Sequence, residues 1–463
     1  MTTKITPESL SRIDKLFLDR DAADPGDSRR RRVERGFGVV AGDDLRESYD
    51  LQLALLTVVN VAVRTFAGCT VYTSRDLRAA PNLLRLAPGT TLGDAIAVLG
   101  GKLEERAQVP TDQPHLLLGA WEPSSRALRV TFDGWRLSVG PAEQLGRLPE
   151  RSFCPLTGLA AAAIGVGEIF AEFAGISVSA TRRIVTLSLW RPDLAPEAEP
   201  GIGEPVTELP GELAVFGLGH LGQAYLWAYA SLRHADPSKA TLVLCDDDTV
   251  EHANLETGAI ASADWMGKLK TRMAADWLEQ RGFKTRLIER RIDAHFRRAE
   301  REPVISLCGF DDNQPRQWLA QAGFSGGFDS GLGGEASNFD AISYHSWPNP
   351  RVPTELWPVE SMEEIQVRNA RRERLVKDSD GYQALKEDHC GRLVLAGKSV
   401  AVPFVGAFAA AVVLAEVLKA ANGGPTFYDV KLRLCALREG RIHARLAAAQ
   451  SPPVRGMATQ QMA

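Results

Sequence analysis

The stretch Glu212–Gly222, with the sequence ELAVFGLGHLG, is the part of the chain that says most about the fold. A short apolar run leads into glycines spaced as Gly217-x-Gly219-x-x-Gly222, and an amphipathic segment follows. Glycine lets the backbone turn tightly, and its small size lets backbone N–H groups approach a phosphate at a helix N-terminus. The stretch therefore predicts a strand, a phosphate-binding turn and a helix, as in nucleotide-binding α/β folds.

The next apolar run extends this pattern. Residues 242–255, LVLCDDDTVEHANL, predict a second strand that ends in the acidic triplet Asp246–Asp248. An acid at the end of the second strand of such a unit can bind the ribose hydroxyls of a nucleotide. Glycine-rich turns also serve packing alone, and an acidic triplet can be a solvated turn. The order of strand, glycine turn, helix, strand and acid favours a nucleotide site over both alternatives.

Further short motifs follow in order: NL at 254–255, GKLK at 267–270 and GFDDN at 309–313. The series resembles the ThiF/MoeB and ubiquitin-activating (E1-like) adenylating superfamily. The pattern of that superfamily is GxGxxG, D-x-D-T-V, x-N-L-x-R, G-x-x-K and then D-N or D-S before an arginine. The resemblance covers Glu212–Arg316. It implies a Rossmann-like α/β adenylation fold that uses ATP and Mg²⁺.

The resemblance also implies roles for individual residues. Lys270 would contact the phosphates and act in catalysis, and Asp311 would hold Mg²⁺, because Arg316 follows it at the family distance. Asp312 is a competing metal ligand one residue further on. Thr257 stands where the family has an arginine, so one phosphate-binding cation is absent or comes from elsewhere. The residues implied to bind the nucleotide are Gly217, Gly219, Gly222, Asp246, Asp248, Asn254 and Lys270.

Adenylation explains why these residue types occur together. The reaction joins a carboxylate to the α-phosphate of ATP and expels pyrophosphate, so two anions must be brought into contact. Catalysis then depends on positioning and on charge neutralisation by cations, by Mg²⁺ and by N–H groups. Carboxylate oxygens are suitable Mg²⁺ ligands. Each residue also has a structural alternative: Lys270 as an exposed helix lysine, and Asp311 as a helix N-cap.

Cys390 is the candidate for a second chemical step. In the superfamily a crossover segment passes over the adenylate and carries a thioester-forming cysteine, and the corresponding region here is about 345–400. Cys390 is the one cysteine in that window, and its thiolate would be the nucleophile. The alternative is a buried structural cysteine. The six cysteines contain no CxxC pair, which excludes a cysteine-type zinc site, and they favour a reducing cytoplasm.

Two α/β halves are predicted. Residues 1–195 are predicted to be an inactive, degenerate adenylation domain, 196–210 a proline- and acid-rich linker, 211–446 the active ThiF-like domain and 447–463 a disordered tail. The helix-forming segments 160–173 and 404–418 are similar, since both run from small apolar residues to a glutamate-containing end. Ubiquitin-activating enzymes combine one inactive and one active half, and this internal similarity implies the same arrangement.

Composition limits the partners. The chain has 463 residues, of which 24% are charged, and its net charge of −4 argues against nucleic acid as the main partner. No apolar run predicts a membrane span, because Pro403 and Gly406 interrupt the most apolar stretch. The arginine-rich segment 29–35 predicts a solvated N-terminal region. Alternatively, one of its arginines or Arg20 reaches the nucleotide.

The resemblance implies an enzyme that adenylates the C-terminal carboxylate of a ubiquitin-like β-grasp protein, transfers it to Cys390 and delivers it to a ubiquitin-conjugating-type enzyme. FDSGLGGEASNFDAISYHSWP at 328–348 and CGRLVLAGKSVAVPFVGAFAAA at 390–411 are similar to the compact activating enzymes of bacterial Bil-type antiphage conjugation operons, which implies antiviral defence. The alternatives are a sulfur-carrier adenylyltransferase of the thiamine or molybdopterin type and a nucleotide-binding scaffold without turnover. Whether the chain works alone or as a dimer stays open.

Overall fold

The computed structural model describes residues 9–195, 198–437, 442–447 and 457–463. Within residues 9–195, the N-terminal half, seven strands form one sheet: β1 Gly38–Ala41, β2 Cys69–Thr73, β3 Gly101–Glu105, β4 His115–Leu118, β5 Ala127–Asp133, β6 Arg136–Pro141 and β7 Val185–Ser188. Their spatial order is β3-β2-β1-β4-β5-β6-β7. The pairs among β1–β5 are parallel, whereas β6 and β7 join antiparallel.

The described residues from 198 onward, the C-terminal half, contain β8 Glu208–Pro210, β9 Glu212–Phe216, β10 Thr241–Cys245, β11 Lys284–Ile288, β12 Ile305–Cys308, β13 Gly326–Leu332, β14 Ala341–Trp347, β15 Phe427–Arg433, β16 His443–Leu446 and β17 Thr459–Gln461. The second sheet has the order β11-β10-β9-β12-β13-β14-β15-β16. The pairs among β9–β13 are parallel, and β14, β15 and β16 join antiparallel.

Helices cover and connect the two sheets. In the N-terminal half they are α1 Arg12–Asp21, α2 Pro25–Arg35, α3 Tyr49–Phe66, α4 Arg75–Arg78, α5 Leu92–Val98 and α6 Leu156–Phe173. In the C-terminal half they are α7 His220–Ala230, α8 His252–Thr257, α9 Lys270–Glu279, α10 Asn313–Ala320, α11 Pro353–Leu356, α12 Met362–Asp378, α13 Asp380–Ala384, α14 His389–Ala396 and α15 Pro403–Ala421.

The two halves share one topology. Each sheet places its first strand between the second and the fourth, and each ends in antiparallel strands. Helix α3 follows β1 as α7 follows β9, and α6 precedes β7 as α15 precedes β15. The similar segments noted in the sequence are therefore the topologically equivalent helices α6 and α15. The predicted α/β Rossmann-like fold with a degenerate N-terminal copy is confirmed.

Helices α6 and α15 pack against each other between the halves. Both are long and apolar enough to cross a membrane by length and composition, but 89% and 94% of their apolar windows are buried inside the protein. The ring centroids of Phe170 and Phe404 lie 5.4 Å apart. A side chain at Gly167 would meet the Phe404 ring at 3.1 Å. Small residues therefore let the two helices approach closely.

Each of these helices also carries a buried carboxylate whose cationic partner reaches the other half. Glu168 on α6 pairs with Arg183 at 2.6 Å, and Arg183 Nη2 donates to the Cys435 carbonyl in the C-terminal half at 2.6 Å. Glu416 on α15 pairs with Lys419, whose ammonium donates to the Leu189 carbonyl in the N-terminal half at 3.1 Å. Buried ions need such partners because desolvation is costly. The two pairs therefore link the halves reciprocally.

The end of the chain differs from the sequence prediction. Strand β17 pairs antiparallel with β8, which lies at the end of the predicted linker. Gln460 Nε2 also lies 2.9 Å from His234 Nδ1. The prediction of a disordered tail is wrong for residues 457–463, because the open backbone edge of β8 satisfies the hydrogen bonds of a terminal strand that sequence periodicity does not reveal. The remainder, 448–456, lies outside the described residues.

Arg183→Met should destabilise the protein by about 3–5 kcal/mol, because it leaves the Glu168 carboxylate buried without its cation. Urea unfolding followed by circular dichroism measures this loss. The double variant Glu168→Gln with Arg183→Met removes both charges and should lose less stability than Arg183→Met alone. If both variants lost the same free energy of unfolding, the unpaired Glu168 charge would not be the cause of the loss.

Candidate functional site

A cavity of about 680 Å³ opens at the carboxyl ends of β9, β10 and β12. Gly217 and Gly219 line it after β9, Asp246–Asp248 after β10, and Gly309–Asp312 after β12. Strands β10 and β12 lie on opposite sides of β9, so this is the point where the strand order reverses. Ligands of open α/β sheets bind in the crevice at such a point.

Three glycines allow the backbone to close up beneath the cavity. Gly217 has a φ of +77°, a conformation that favours glycine. A Cβ on Gly222 would lie 1.8 Å from the Gly217 carbonyl oxygen, and a Cβ on Gly309 would lie 2.7 Å from the same atom. By contrast, a Cβ on Gly219 would meet no atom within 4 Å. Gly217 and Gly222 therefore form the turn, and Gly219 leaves its backbone open to the cavity.

Asp246 orders the two loops that frame the cavity. One of its carboxylate oxygens accepts from the Leu218 N–H at 2.5 Å, and the other accepts from the Asp248 N–H at 2.7 Å. Burial raises the pKa of the Asp246 carboxyl, and the nearby Lys270 ammonium opposes that rise. The predicted ribose-binding acid is thus held rigidly at the cavity wall.

Lys270 is the first residue of α9, and it lines the cavity. Only 7% of the residue is exposed. Its ammonium lies 2.8 Å from an Asp248 carboxylate oxygen, and its N–H donates to the Asp248 carbonyl at 3.0 Å. The alternative of an exposed helix lysine is therefore wrong. A buried cation that faces a cavity is available to an anionic ligand.

Asp311 and Asp312 have different roles. Asp312 is the N-cap of α10, since its carboxylate accepts from the Gln314 N–H at 3.0 Å. Asp311 is exposed and lines the cavity. The helix-cap alternative therefore applies to Asp312, which leaves the Asp311 carboxylate for a ligand or a cation.

The structure does not bring Asn254 to the cavity wall. Its side-chain oxygen instead accepts from the Glu251 N–H at 2.8 Å at the start of α8. Thr257, at the position of the family arginine, is buried and donates its hydroxyl to the Ala253 carbonyl at 2.9 Å. Neither side chain lines the cavity in this arrangement.

The arginines near the N-terminus do not line the cavity either. Arg32 is buried in an ion pair with Asp14 at 2.9 Å, and Arg20 pairs with Asp21 and donates to the Ala174 carbonyl. In this structure neither Arg20 nor an arginine of segment 29–35 lines the cavity, so contact of one of them with the nucleotide stays a hypothesis. The arginines that do line the cavity are Arg290, Arg291 and Arg316.

Sequence reasoning missed His220 and the far wall. His220 occupies a variable position of the glycine motif and lines the cavity. Its Nδ1 lies 2.7 Å from the Thr257 carbonyl, and burial lowers its pKa to about 4, so the ring is neutral and Nδ1 donates. Gly333–Gly334 and Ser399–Val402 form the far wall, where the Val400 N–H donates to the Gly334 carbonyl at 2.8 Å. These far-wall residues lie within the glycine-rich and Bil-like segments noted in the sequence, but no site role was predicted for them.

Cys390 is exposed, and the other five cysteines are buried. Burial raises the pKa of each of those five thiols. Cys390 lies in the first turn of α14, whose N-cap Asp388 accepts from the Gly391 N–H at 2.7 Å. It does not line the cavity. The length of chain between Cys390 and the wall residue Ser399 allows them to be at most about 20 Å apart. The alternative of a buried structural cysteine is wrong.

Fold and site together define an α/β protein with a nucleotide-type crevice in one of two related halves. Models of the BilD N-terminal domain and the BilD C-terminal domain match residues 36–189 and 209–424. The bacterial E1-like protein BilD of Collimonas sp. (strain OK412) is 34% identical over 458 residues, with 96% of each chain covered. The chain belongs to the BilD family of bacterial E1-like proteins, and the resemblance found in the sequence is confirmed.

Solved structures of E. coli MccB are more distant. The complex with succinimide is 16% identical with a TM-score of 0.35, over 51% of this chain and 63% of that chain. The complex with ATP is 16% identical with a TM-score of 0.34, over 51% of this chain and 62% of that chain. This chain thus spans less than two thirds of the MccB length. The family assignment rests on the BilD matches.

Gly222→Ala should destabilise the protein by about 1–3 kcal/mol, because the new methyl group must displace the backbone of Gly217. Thermal unfolding in the absence of any ligand measures the change. Gly219→Ala is the matched control within the same motif, and it should leave the melting temperature almost unchanged. Similar melting temperatures for wild type and Gly222→Ala would contradict the packing of the turn described above.

Proposed function

We propose that this chain uses ATP and Mg²⁺ to adenylate the C-terminal carboxylate of a ubiquitin-like β-grasp protein and then carries the protein as a thioester on Cys390. A ubiquitin-conjugating-type enzyme would accept it next. The observation that supports the first step is the arrangement around one cavity of an open glycine backbone at Gly219, a buried cation at Lys270 and an available carboxylate at Asp311.

The site suits a triphosphate. Free N–H groups and the positive end of the helix dipole at the start of α7 attract phosphate oxygens. Lys270 adds a cation at the same wall, and Asp246 and Asp248 offer oxygens to ribose hydroxyls. The cavity volume of about 680 Å³ falls within the range of small-ligand sites.

A metal also fits, because Asp311 is not used as a helix cap and presents a hard oxygen ligand. When bound, Mg²⁺ would neutralise charge on the phosphate oxygens. In the reaction a C-terminal carboxylate oxygen of the ubiquitin-like protein bonds to the α-phosphorus. The bond from the α-phosphorus to the oxygen that bridges it to the β-phosphate breaks. Pyrophosphate leaves with the electron pair, which gives an acyl-adenylate. The residues of the chain position and neutralise the two anions.

The second step requires movement. The Cys390 thiolate would attack the acyl carbon, AMP would leave, and a thioester would form. Cys390 lies away from the cavity wall, so α14 must approach the adenylate or the adenylated tail must move towards α14. Residues 397–402 connect α14 to α15 and form part of the far wall at Ser399–Val402. A shift of this connection would change both the cavity and the position of the thiol.

Membership of the BilD family supports the further proposal that the reaction serves bacterial antiviral defence in the cytoplasm. Six free cysteines are consistent with a reducing compartment. Thr257 favours one competing hypothesis, a scaffold that binds nucleotide without turnover, because its side chain faces its own helix. A sulfur-carrier enzyme is the other alternative, and it would place a persulfide rather than a protein thioester on Cys390.

Lys270→Ala and Asp311→Asn should each lower ATP–pyrophosphate exchange at least about 100-fold in the presence of the ubiquitin-like protein. Each variant removes a group that stabilises the negative charge developing on the phosphates. Lys268→Ala is the matched control, since Lys268 is exposed beside Trp265 on the loop just before α9. It should retain full exchange. A wild-type chain that binds ATP but shows no exchange with any ubiquitin-like protein would favour the scaffold.

Cys390→Ala should retain pyrophosphate exchange and lose the reductant-sensitive protein adduct, because the nucleophile of the second step is removed while the adenylation site is intact. Cys390→Ser should retain exchange and give an oxyester that resists thiol reductants, or no adduct. Non-reducing electrophoresis with mass spectrometry distinguishes a protein thioester from a persulfide. Undiminished reductant-sensitive adduct in Cys390→Ala would rule out this role for Cys390.

A further inference from the structure

Residues 255–261, here called the brace loop, comprise the last turn of α8 and the segment that follows it in the C-terminal half. Two residues of α3 in the N-terminal half bind three of its carbonyl groups. Arg64 donates to the carbonyls of Leu255 and Ala261, the latter at 3.2 Å. Asn60 Nδ2 donates to the Ala259 carbonyl at 3.0 Å.

The two donors also hold each other. Arg64 Nε donates to Asn60 Oδ1 at 2.9 Å, one helical turn apart on α3. Asn60 is only 2% exposed. Burial lowers the pKa of Arg64 to about 10, which still leaves the guanidinium charged at neutral pH. A charged donor makes stronger hydrogen bonds to carbonyl groups than a neutral donor does, so α3 holds the brace loop firmly.

The brace loop in turn supports the phosphate-facing turn through Gln223. Gln223 is fully buried, and its Nε2 donates to the Leu218 carbonyl at 3.1 Å within the glycine turn. Its Oε1 accepts from the Ile260 N–H at 3.3 Å in the brace loop. A side chain at Gly258 would meet Gln223 Oε1 at 2.2 Å, so the loop and this side chain are in close contact.

A second link runs through His220, the first residue of α7. Its Nδ1 donates to the Thr257 carbonyl of the brace loop at 2.7 Å. The two links end at Leu218 and His220, on both sides of Gly219, the open glycine of the cavity. A displaced brace loop would therefore release the turn at the point where phosphate is expected to bind.

We propose that Asn60 and Arg64 are positioning residues of the nucleotide site, which act through the brace loop, Gln223 and His220 on the glycine turn. The inference rests on the proposed ATP site and goes beyond it, since it makes the N-terminal half a required part of that site. The brace loop has Thr257 where the superfamily has an arginine. The guanidinium of Arg64, from the N-terminal half, binds the backbone carbonyls of this loop.

A buried arginine between the halves could serve stability alone, and Arg281 provides the matched comparison. Arg281 in the C-terminal half donates to the Leu86 carbonyl of the N-terminal half at 2.6 Å and also to the Trp277 carbonyl. Burial lowers its pKa to about 10, as for Arg64. Its hydrogen bonds reach Leu86 and Trp277 and not the brace loop.

The experiment compares Arg64→Met, Arg64→Lys and Arg281→Met in the full chain, with Asn60→Ala as a milder variant should Arg64→Met not fold. Thermal unfolding, ATP–Mg²⁺ affinity by calorimetry and amide hydrogen exchange of residues 217–223 are measured on each. Both methionine variants should lower the melting temperature. Arg64→Met should weaken ATP binding about tenfold or more, equivalent to about 1.4 kcal/mol, and Asn60→Ala should weaken it in the same direction. Arg64→Lys should recover part of the loss.

Arg281→Met should bind ATP within about twofold of wild type, since its loss does not release the turn. Without ligand, residues 217–223 should exchange faster in Arg64→Met and Asn60→Ala only. If the Arg64, Asn60 and Arg281 variants showed equal ATP affinity and equal amide hydrogen exchange of residues 217–223, the inference would be overturned. The proposed function would remain intact. A wild-type chain that binds no ATP would instead refute the proposed function, while the exchange of residues 217–223 would still decide whether the brace loop orders the turn.

Discussion

The contact between α6 and α15 is the constraint on which the rest of the molecule depends. Each helix is apolar on nearly all faces, and each covers the other where the halves meet. Neither helix could be left in water without exposing a large apolar surface. The reciprocal ion pairs of Glu168 and Glu416 also restrict how α6 and α15 can slide past each other. Each cation must reach a backbone carbonyl of the opposite half. The relative position of the two sheets is therefore fixed.

This fixed relation lets two copies of one topology take different roles. In the N-terminal half the ends of the equivalent strands are occupied by ion pairs. Arg106 hydrogen-bonds lower the pKa of Asp43 to about 2, and Arg147 pairs with Asp44. The Asp44 carboxylate also accepts from the Ala120 N–H at 2.8 Å. Paired charges therefore follow β1, where the C-terminal half has its glycine turn after β9. The N-terminal half is instead placed to support the other half through α3.

Much of the site could be predicted because its determinants are local in sequence. Glycine spacing specifies a tight turn, and an acid after a strand lies at the strand end, so Gly217, Asp246 and Lys270 meet as expected. The similarity of α6 and α15 is visible in the sequence because small apolar residues and a glutamate recur in both. Asn254 lies outside the cavity wall, since its side chain serves as a local cap, which the motif does not show.

The remaining features depend on contacts between residues far apart in the chain. Arg64 interrupts an apolar helix, and nothing in its neighbourhood indicates carbonyl partners nearly 200 positions later. The strand at Thr459–Gln461 was missed for the same reason, because its partner β8 is distant and short. The family resemblance also implied that Cys390 lies in the crossover region, but it could not show that the thiol lies outside the cavity. Tertiary packing determines the carbonyl partners of Arg64, the pairing of β17 with β8 and the position of the Cys390 thiol.

The most direct test of the central claim is a crystal structure of the wild-type chain with Mg²⁺ and a non-hydrolysable ATP analogue. The triphosphate should lie at the N-terminus of α7 with Lys270 contacting its oxygens, the ribose should lie beside Asp246, and the cation should bind Asp311. An empty crevice under saturating nucleotide, or a triphosphate bound elsewhere on the chain, would contradict that claim.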